Sequence, residues 1–395
     1  MVLFYLRLYS GLRDSVESGV WNPSGVPTIV RMIEAVERSG LPYQFVFYSY
    51  ERLPDAIRGK RYVEIEGLKK PVKVISIRCS LSDRIQAIFL GIASVFFSIR
   101  YSAKLFYTDR SNVVGAAFVQ RMGISRCVLR LLGFPPPLFE QVKKMNGGTL
   151  GRWAFNSPFS LVIGTNDGSS VRQLCEQLMN PDLEYEIVTN GIDRQVDSGR
   201  RSRSGEAPLQ VVTVGRLEES KCCVELIHAW ECFIDSGGVG NLVIVGEGAL
   251  SGHLKELVEE KNLTECIQFS GAVQQRDVLS ILNNFDIYVS FNEGAQLTNT
   301  NLEALRSGLA IILAESKGDD EAAKEAGLDE NIVAWIERRS LSVSFSKVLM
   351  NFYENPSELK RVQDETAAKG ALMQTWEERM DWEVDQLRGL LDNAS

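Results

Sequence analysis

Residues 209–248 read LQVVTVGRLEESKCCVELIHAWECFIDSGGVGNLVIVGEG, and their pattern decides the fold. Leu209–Val214 and Asn241–Val245 are short apolar runs, as expected of strands buried on both faces. Between them Cys223, Leu226, Ile227, Trp230, Phe233 and Ile234 recur at i, i+3, i+4, i+7, i+10 and i+11, which is one apolar stripe on a helix spanning Cys223–Ser236. A parallel neighbour can be reached only through a crossover, so strand, helix and strand at this spacing predict a parallel unit. The alternation continues downstream: helix Leu250–Lys261, strand Ile267–Ser270, helix Arg276–Asn283, strand Asp286–Ser290, helix Thr300–Ser307 and strand Leu309–Leu313. Such a series makes an α/β domain with helices on both faces of its sheet.

Upstream the same order is present but less regular. Val2–Tyr9 reads as a buried strand, Ser10–Gly25 as a glycine- and serine-bearing loop, the stretch to about Ser39 as an amphipathic helix, and Tyr43–Tyr48 as the next strand. Val72–Ile77, the helix Ile85–Ile99, Lys104–Thr108, Cys127–Leu132, Ser160–Thr165, a helix near Ser170–Met179 and Tyr185–Val188 complete it. Residues 196–208, VDSGRRSRSGEAP, carry no apolar periodicity and read as a linker. The chain of 395 residues is long for one core. The expected organisation is therefore a Rossmann-like domain over 1–195, the linker 196–208, a second such domain over 209–372, and a last helix over 373–395.

Composition narrows the class further. A hydrophobic content of 45 % excludes disorder. The seven cysteines are scattered and never spaced C-x-x-C, which suggests neither a disulfide framework nor a zinc site. No signal peptide is read at the N-terminus, so a cytoplasmic location is expected. Ile85–Ile99 is shorter than the ~20 residues of a spanning helix, and is expected in the buried core in preference to a membrane interface. Residues 1–150 hold 21 Lys and Arg against 11 Asp and Glu, so they carry +10 of a chain total of −8 and the remainder carries −18. The basic residues Arg52, Arg58, Lys60, Arg61, Lys69, Lys70 and Lys73 are either a solvated face or a contact for an anionic membrane or a phosphate-bearing ligand. No nucleic-acid partner is expected.

In doubly wound sheets ligands bind at the carboxyl ends of the strands. Gly215 follows the first strand of the second domain, with Arg216 and Lys221 five residues apart, two cations able to converge on a diphosphate without a metal. Gly246 and Gly248 follow the second strand, but the full G-x-G-x-x-G pattern is absent because position 251 is Ser, which disfavours a nicotinamide dehydrogenase. The most informative loop is NEGAQLTNTNLEAL at 292–305. Thr298, Asn299 and Thr300 suit a helix N-cap whose amides can meet an anion, and Glu303, one turn further, can accept hydrogen bonds from a ribose diol.

The ordered set VGRLEESK, LVIVGEG, IQFSGAV, DIYVSFNEG and LEALRSGLAII resembles the donor-binding domain of family 4 glycosyltransferases, over about residues 185–315. Thr189-Asn190-Gly191-Ile192-Asp193 is similar to that family's N-G-[IV]-D segment, Ser24-Gly25 to its glycine loop opening a helix, and Trp376-Glu377-Glu378-Arg379 to the start of its last helix. The resemblance implies a GT-B fold: two doubly wound domains facing a central cleft, the first for the acceptor and the second for the donor, with the C-terminal helix crossing back to the first. It also implies retaining transfer of a hexosyl group from a UDP- or GDP-type nucleotide sugar to a glycan or lipid-linked acceptor, with no cofactor, and a role in polysaccharide biosynthesis. Arg216 and Lys221 would hold the diphosphate, Thr298–Thr300 would meet phosphate through amides, Glu303 would take the ribose, and Gly25, Gly215, Gly246 and Gly248 would line the substrates.

The family's second glutamate, eight residues before the match to Glu303, falls here on Ala295, leaving Glu293 as the candidate for contact with the transferred sugar. The family's first-domain histidine is absent too, since the two histidines are His228 and His253. Two other readings therefore stand beside the transferase: a nucleotide-sugar epimerase of the same architecture, and a catalytically silent binding protein. Peripheral contact with the inner face of an anionic membrane through the basic N-terminal half is a further expectation.

Overall fold

Every strand pairing in both sheets is parallel. In the computed structural model, which describes residues 1–53, 57–60, 62–77, 82–145, 149–194, 207–294, 296–315 and 320–393, the chain forms two compact units. The first comprises Met1–Asn166, Ser170–Asn190 and Trp376–Ser395, and the second Asp167–Ser169 and Gly191–Thr375. The expected linker falls largely on 195–206, which lie outside the described residues, as do Arg61, Cys79 and Ala295.

The first unit is built on β1 (Val2–Arg7), β2 (Tyr43–Ser49), β3 (Lys73–Ser76), β4 (Leu105–Asp109), β5 (Arg126–Leu131), β6 (Leu161–Thr165) and β7 (Tyr185–Val188), in the order β3-β2-β1-β4-β5-β6-β7. β1 shows why these runs are apolar throughout: Val2, Phe4 and Leu6 enter the core on one face, Leu3 and Tyr5 that on the other. The second unit carries β8 (Leu209–Val214), β9 (Gly240–Val245), β10 (Ile267–Gly271), β11 (Ile287–Ser290), β12 (Ala310–Ala314) and β13 (Val333–Ile336), in the order β10-β9-β8-β11-β12-β13. The stripe read on Cys223–Ser236 is the buried face of the helix Cys223–Asp235, where Trp230 and Phe233 are fully buried.

Two expectations need correcting. The expected loop Ser10–Gly25 contains a helix, α1 (Ser10–Ser18), which buries only Gly11, Leu12, Ser15 and Val16. Two large apolar residues over two turns are too few to register as a period. After it α2 (Pro27–Ser39) forms with the amphipathic face the sequence predicts. The second correction concerns the expected core helix Ile85–Ile99. It is α3 (Asp83–Arg100), and Ile85, Ile88, Phe89, Ile92, Phe96 and Ile99 are exposed. Its buried face centres on Leu90, Gly91, Ser94 and Ser98, with Ala87, Val95 and Phe97 half-buried beside them. That face packs on α4 (Val113–Arg121), for which the sequence offered no period. A side chain at position 91 would meet the Phe118 ring at 2.6 Å, so Gly91 sets how closely the helices approach.

The last helix, Trp376–Asp392, belongs to the first unit and packs on α2 through Trp376, Met380, Val384 and Leu387. A buried charge cluster fixes it to the sheet. The Tyr107 hydroxyl donates to Glu383 Oε1 at 2.6 Å, Arg130 Nε lies 3.4 Å from the same oxygen, and Arg379 Nη2 lies 2.9 Å from Oε2. Glu383, Arg130 and Arg379 are all buried to within 1 % of complete. Burial, then the Glu383 carboxylate, pushes the Tyr107 phenol well above its usual range, which keeps it a donor. Removing one carboxylate leaves two guanidinium groups without compensation in a dry interior. Glu383→Ala is therefore expected to lower the first unit's stability by about 3–5 kcal/mol, read as a shift in its urea unfolding midpoint; a loss under about 1 kcal/mol would show that the cluster is not what anchors the helix.

Candidate functional site

The order of the second sheet reverses between β8 and β11, since β9 and β10 lie to one side of β8 while β12 and β13 lie beyond β11. At such a switch point neighbouring loops leave in opposite directions and open a crevice. A cavity of about 160 Å³ sits there, lined by Thr213 to Leu217 from β8 and its loop, Lys221, Cys223, Val245, Tyr288, Ser290, Thr298 and Thr300. Residues read from sequence as a diphosphate site, namely Gly215, Arg216, Lys221, Thr298 and Thr300, thus line the same cavity.

The two cations differ in setting. Arg216 is largely exposed and forms an ion pair with Glu218. Lys221 is half-buried, and burial, followed by repulsion from Arg216, lowers its ammonium pKa. An anion placed between them would relieve that repulsion. Cys223 is a protonated thiol near neutrality, since burial pushes it up to about 11.

Gly246 and Gly248 act through backbone packing. Gly246 has φ +139°, and a Cβ there would lie 1.8 Å from the carbonyl oxygen of Gly215. Its N–H donates to the Gly271 carbonyl at 2.9 Å, and the Leu217 N–H donates to the Glu247 carbonyl at 3.0 Å. A Cβ at 248 would stand 2.3 Å from the Leu217 carbonyl oxygen. The two strand-end loops therefore touch backbone to backbone, and this contact holds Arg216 at the cavity.

The opposite wall is the start of the helix Asn299–Arg306. Of the three capping candidates Thr298 is the cap: its hydroxyl accepts from the Asn301 N–H at 3.3 Å and donates to Asn301 Oδ1 at 2.8 Å. The Tyr288 hydroxyl donates to the same Oδ1 at 2.8 Å, and Asn301 Nδ2 donates to the Gln296 carbonyl at 2.9 Å. Asn299 opens the helix but is not at the cavity wall, and Glu303, 3 % exposed, accepts a hydrogen bond from Gln275. Arg338 Nη2 donates to the carbonyls of Phe291 and Asn292 at 2.8 and 2.7 Å, clamping the strand that feeds this loop.

Glu293 lines a second cavity of about 630 Å³ with Glu219, Ser220, Cys222, Glu225 and His253; Cys223 borders both. Gly25 lies in the first unit, in the left-handed region at φ +64° just before α2. Sequence reading missed Tyr288, Ser290, Gln296, Asn301 and Arg338. Only Asn301 carried a signal, three residues after a capping threonine.

With this geometry in view, residues 197–369 match the family model of the glycosyl transferases group 1, a match covering less than half of the chain. Two curated relatives are similar over part of their length. The amylovoran biosynthesis glycosyltransferase AmsK of Erwinia amylovora is 22 % identical over 185 residues, 45 % of this chain and 44 % of that protein. A glycogen synthase of Mycobacterium tuberculosis is 27 % identical over 157 residues, 39 % of this chain and 37 % of that protein. The chain thus matches less than half the length of these relatives.

Among solved structures, sucrose-phosphate synthase from Thermosynechococcus elongatus superposes with a TM-score of 0.70 at 14 % identity, covering 100 % of both chains. HepE of Anabaena, in complex with UDP and glucose, gives 0.68 at 14 % identity over 98 % of this chain and 99 % of that one. The fold is GT-B.

The loop contact yields a direct test. Gly246→Ala is expected to cost at least about 2 kcal/mol from backbone strain and overlap. Gly252→Ala, where an added Cβ meets nothing within 4 Å, is expected to be neutral or to stabilise by up to about 1 kcal/mol. Equal thermal midpoints for the two variants would contradict the close approach of the loops.

Proposed function

We propose that the protein transfers a hexosyl group from a UDP- or GDP-type nucleotide sugar to a glycan or lipid-linked acceptor, with retention of configuration. One observation carries the reading: two cations and a helix start border the same cavity at the switch point of the sheet, within the segment that matches glycosyl transferases. The named relatives that build amylovoran and glycogen favour polysaccharide biosynthesis as the setting.

In this reading Arg216 and Lys221 neutralise the departing diphosphate, Thr298 to Thr300 present first-turn amides to it, and Glu303 receives the ribose hydroxyls. Glu293, in the adjoining cavity, is assigned to the transferred sugar. The anomeric carbon passes through an oxocarbenium-like state as its bond to the diphosphate oxygen breaks; the acceptor oxygen then bonds to it, and the acceptor proton goes to the leaving phosphate. No protein base is required. Charge neutralisation by two fixed cations makes a divalent metal dispensable. For the acceptor we propose the matching edge of the first sheet, near Gly25, where the Arg7 guanidinium lies 5.6 Å from the rings of both Tyr9 and Tyr50. A cytoplasmic protein resting peripherally on the inner face of a membrane would meet a lipid-linked acceptor there.

Loss of a charge-assisted contact should cost about 1.5–3 kcal/mol, so Arg216→Ala and Lys221→Ala are each expected to lower kcat/KM for the donor by about tenfold or more with an unchanged circular dichroism spectrum. Unaltered kinetics in both variants, against a panel of UDP and GDP sugars, would remove the site assignment. In the same assay EDTA is expected to leave the rate intact. Complete inhibition that magnesium reverses would assign the neutralising role to a metal instead.

A further inference from the structure

Helix α3 is amphipathic in reverse. Its most deeply buried residues are Leu90, Gly91, Ser94 and Ser98, flanked by Ala87, Val95 and Phe97 packed against the core, with Ser94 donating to the Leu90 carbonyl at 2.8 Å and accepting from Asn112 Nδ2 at 3.1 Å. Its outer side carries Ile85, Ile88, Phe89, Ile92, Phe96 and Ile99, at i, i+3, i+4, i+7, i+11 and i+14, which places all six within one third of the helix circumference. Phe89, Ile92, Phe96 and Ile99 are 50 %, 60 %, 58 % and 61 % exposed. Isolated exposed apolar residues are ordinary, but six in one continuous stripe mark a surface made for an apolar medium.

The charges around the stripe identify that medium. Arg84 and Arg100 are exposed at the two ends of the helix, and exposed Lys104 follows. From Arg84 to Thr108 the sequence holds no Asp or Glu. A second copy of the chain is the poorer occupant, because Arg84, Arg100 and Lys104 outnumber the one carboxylate of this helix, Asp83, and pairing two copies doubles that positive excess. A lipid surface with anionic headgroups satisfies both features: acyl chains take up the stripe while phosphates meet the terminal arginines. Among the described residues no helix is long and apolar enough to cross a membrane, so α3 would lie in the interface.

We propose that the outer face of α3 docks the first unit on an anionic lipid bilayer, with the helix axis parallel to the membrane plane. This gives a surface to the peripheral contact of the preceding reading. Its test measures lipid binding and not sugar transfer, so either can fail without the other.

The experiment is flotation of the full chain with vesicles of equal parts phosphatidylglycerol and phosphatidylcholine, and with phosphatidylcholine alone. The native chain is expected to float with the anionic vesicles and to be released by salt. Phe89→Ser combined with Phe96→Ser should reduce the bound fraction by at least about tenfold, and Arg84→Ser with Arg100→Ser should abolish the preference for anionic lipid. The substituted side chains face solvent, so thermal unfolding should be unchanged; Ile92→Gln provides a milder third variant should the double substitution unfold. Three results would overturn the proposal: no flotation of the native chain, flotation of the apolar variants equal to native, or light scattering showing a native dimer that Phe89→Ser with Phe96→Ser converts to monomer.

Discussion

Parallel pairing is the constraint from which the rest of this structure follows. Each strand of a parallel sheet must be reached by a crossover from the far end of its neighbour, so every strand enters at one edge and leaves at the other. All carboxyl-end loops of a sheet therefore emerge together. In the second unit this delivers Gly215, Gly246 and Gly271 to one edge, where the loop contacts join them in series. Where the order of strands reverses, beside β8 and β11, the loops part and leave the cavity that holds Arg216 and Lys221.

Fixing those loops takes more than the sheet. Backbone contact between the Gly215 and Gly246 turns sets one wall, and the Tyr288–Asn301–Thr298 hydrogen bonds set the other. Arg338, beyond β13, ties the Phe291–Asn292 carbonyls from behind. A site made to stabilise charge on a leaving group works only if its dipoles and cations are held before the charge arrives. In the first unit the cluster around Glu383 plays the equivalent structural part, joining the chain's last helix to β4 and β5.

α3 shows the opposite arrangement. Its small and hydroxyl-bearing residues face α4, and its isoleucines with Phe89 and Phe96 face outward, while Phe97 packs on Tyr5. Water gains nothing from such a surface, whereas a lipid interface does. The basic excess of residues 1–150 agrees in sign with an anionic bilayer.

The sequence by itself determined the class of each unit, because strand runs such as Leu209–Val214 and stripes such as Cys223–Phe233 repeat at the periods that backbone geometry imposes. It also marked Arg216, Lys221 and Thr298, which lie within a few residues of a strand end or a helix start. Tyr288 bonds Asn301 only 13 positions on, but no period in the sequence tells which strand side chain meets a helix start. Arg338 was not legible, since its role arises far away in the chain, 46 positions from the Asn292 carbonyl it binds. The burial of Glu383 was hidden for the same reason, its partners Tyr107 and Arg130 lying 276 and 253 positions away. Which face of α3 turns inward was likewise decided only by tertiary structure. Periodicity reports that a helix has an apolar side, but Gly91, Ser94 and the approach of α4 determine that this side points out.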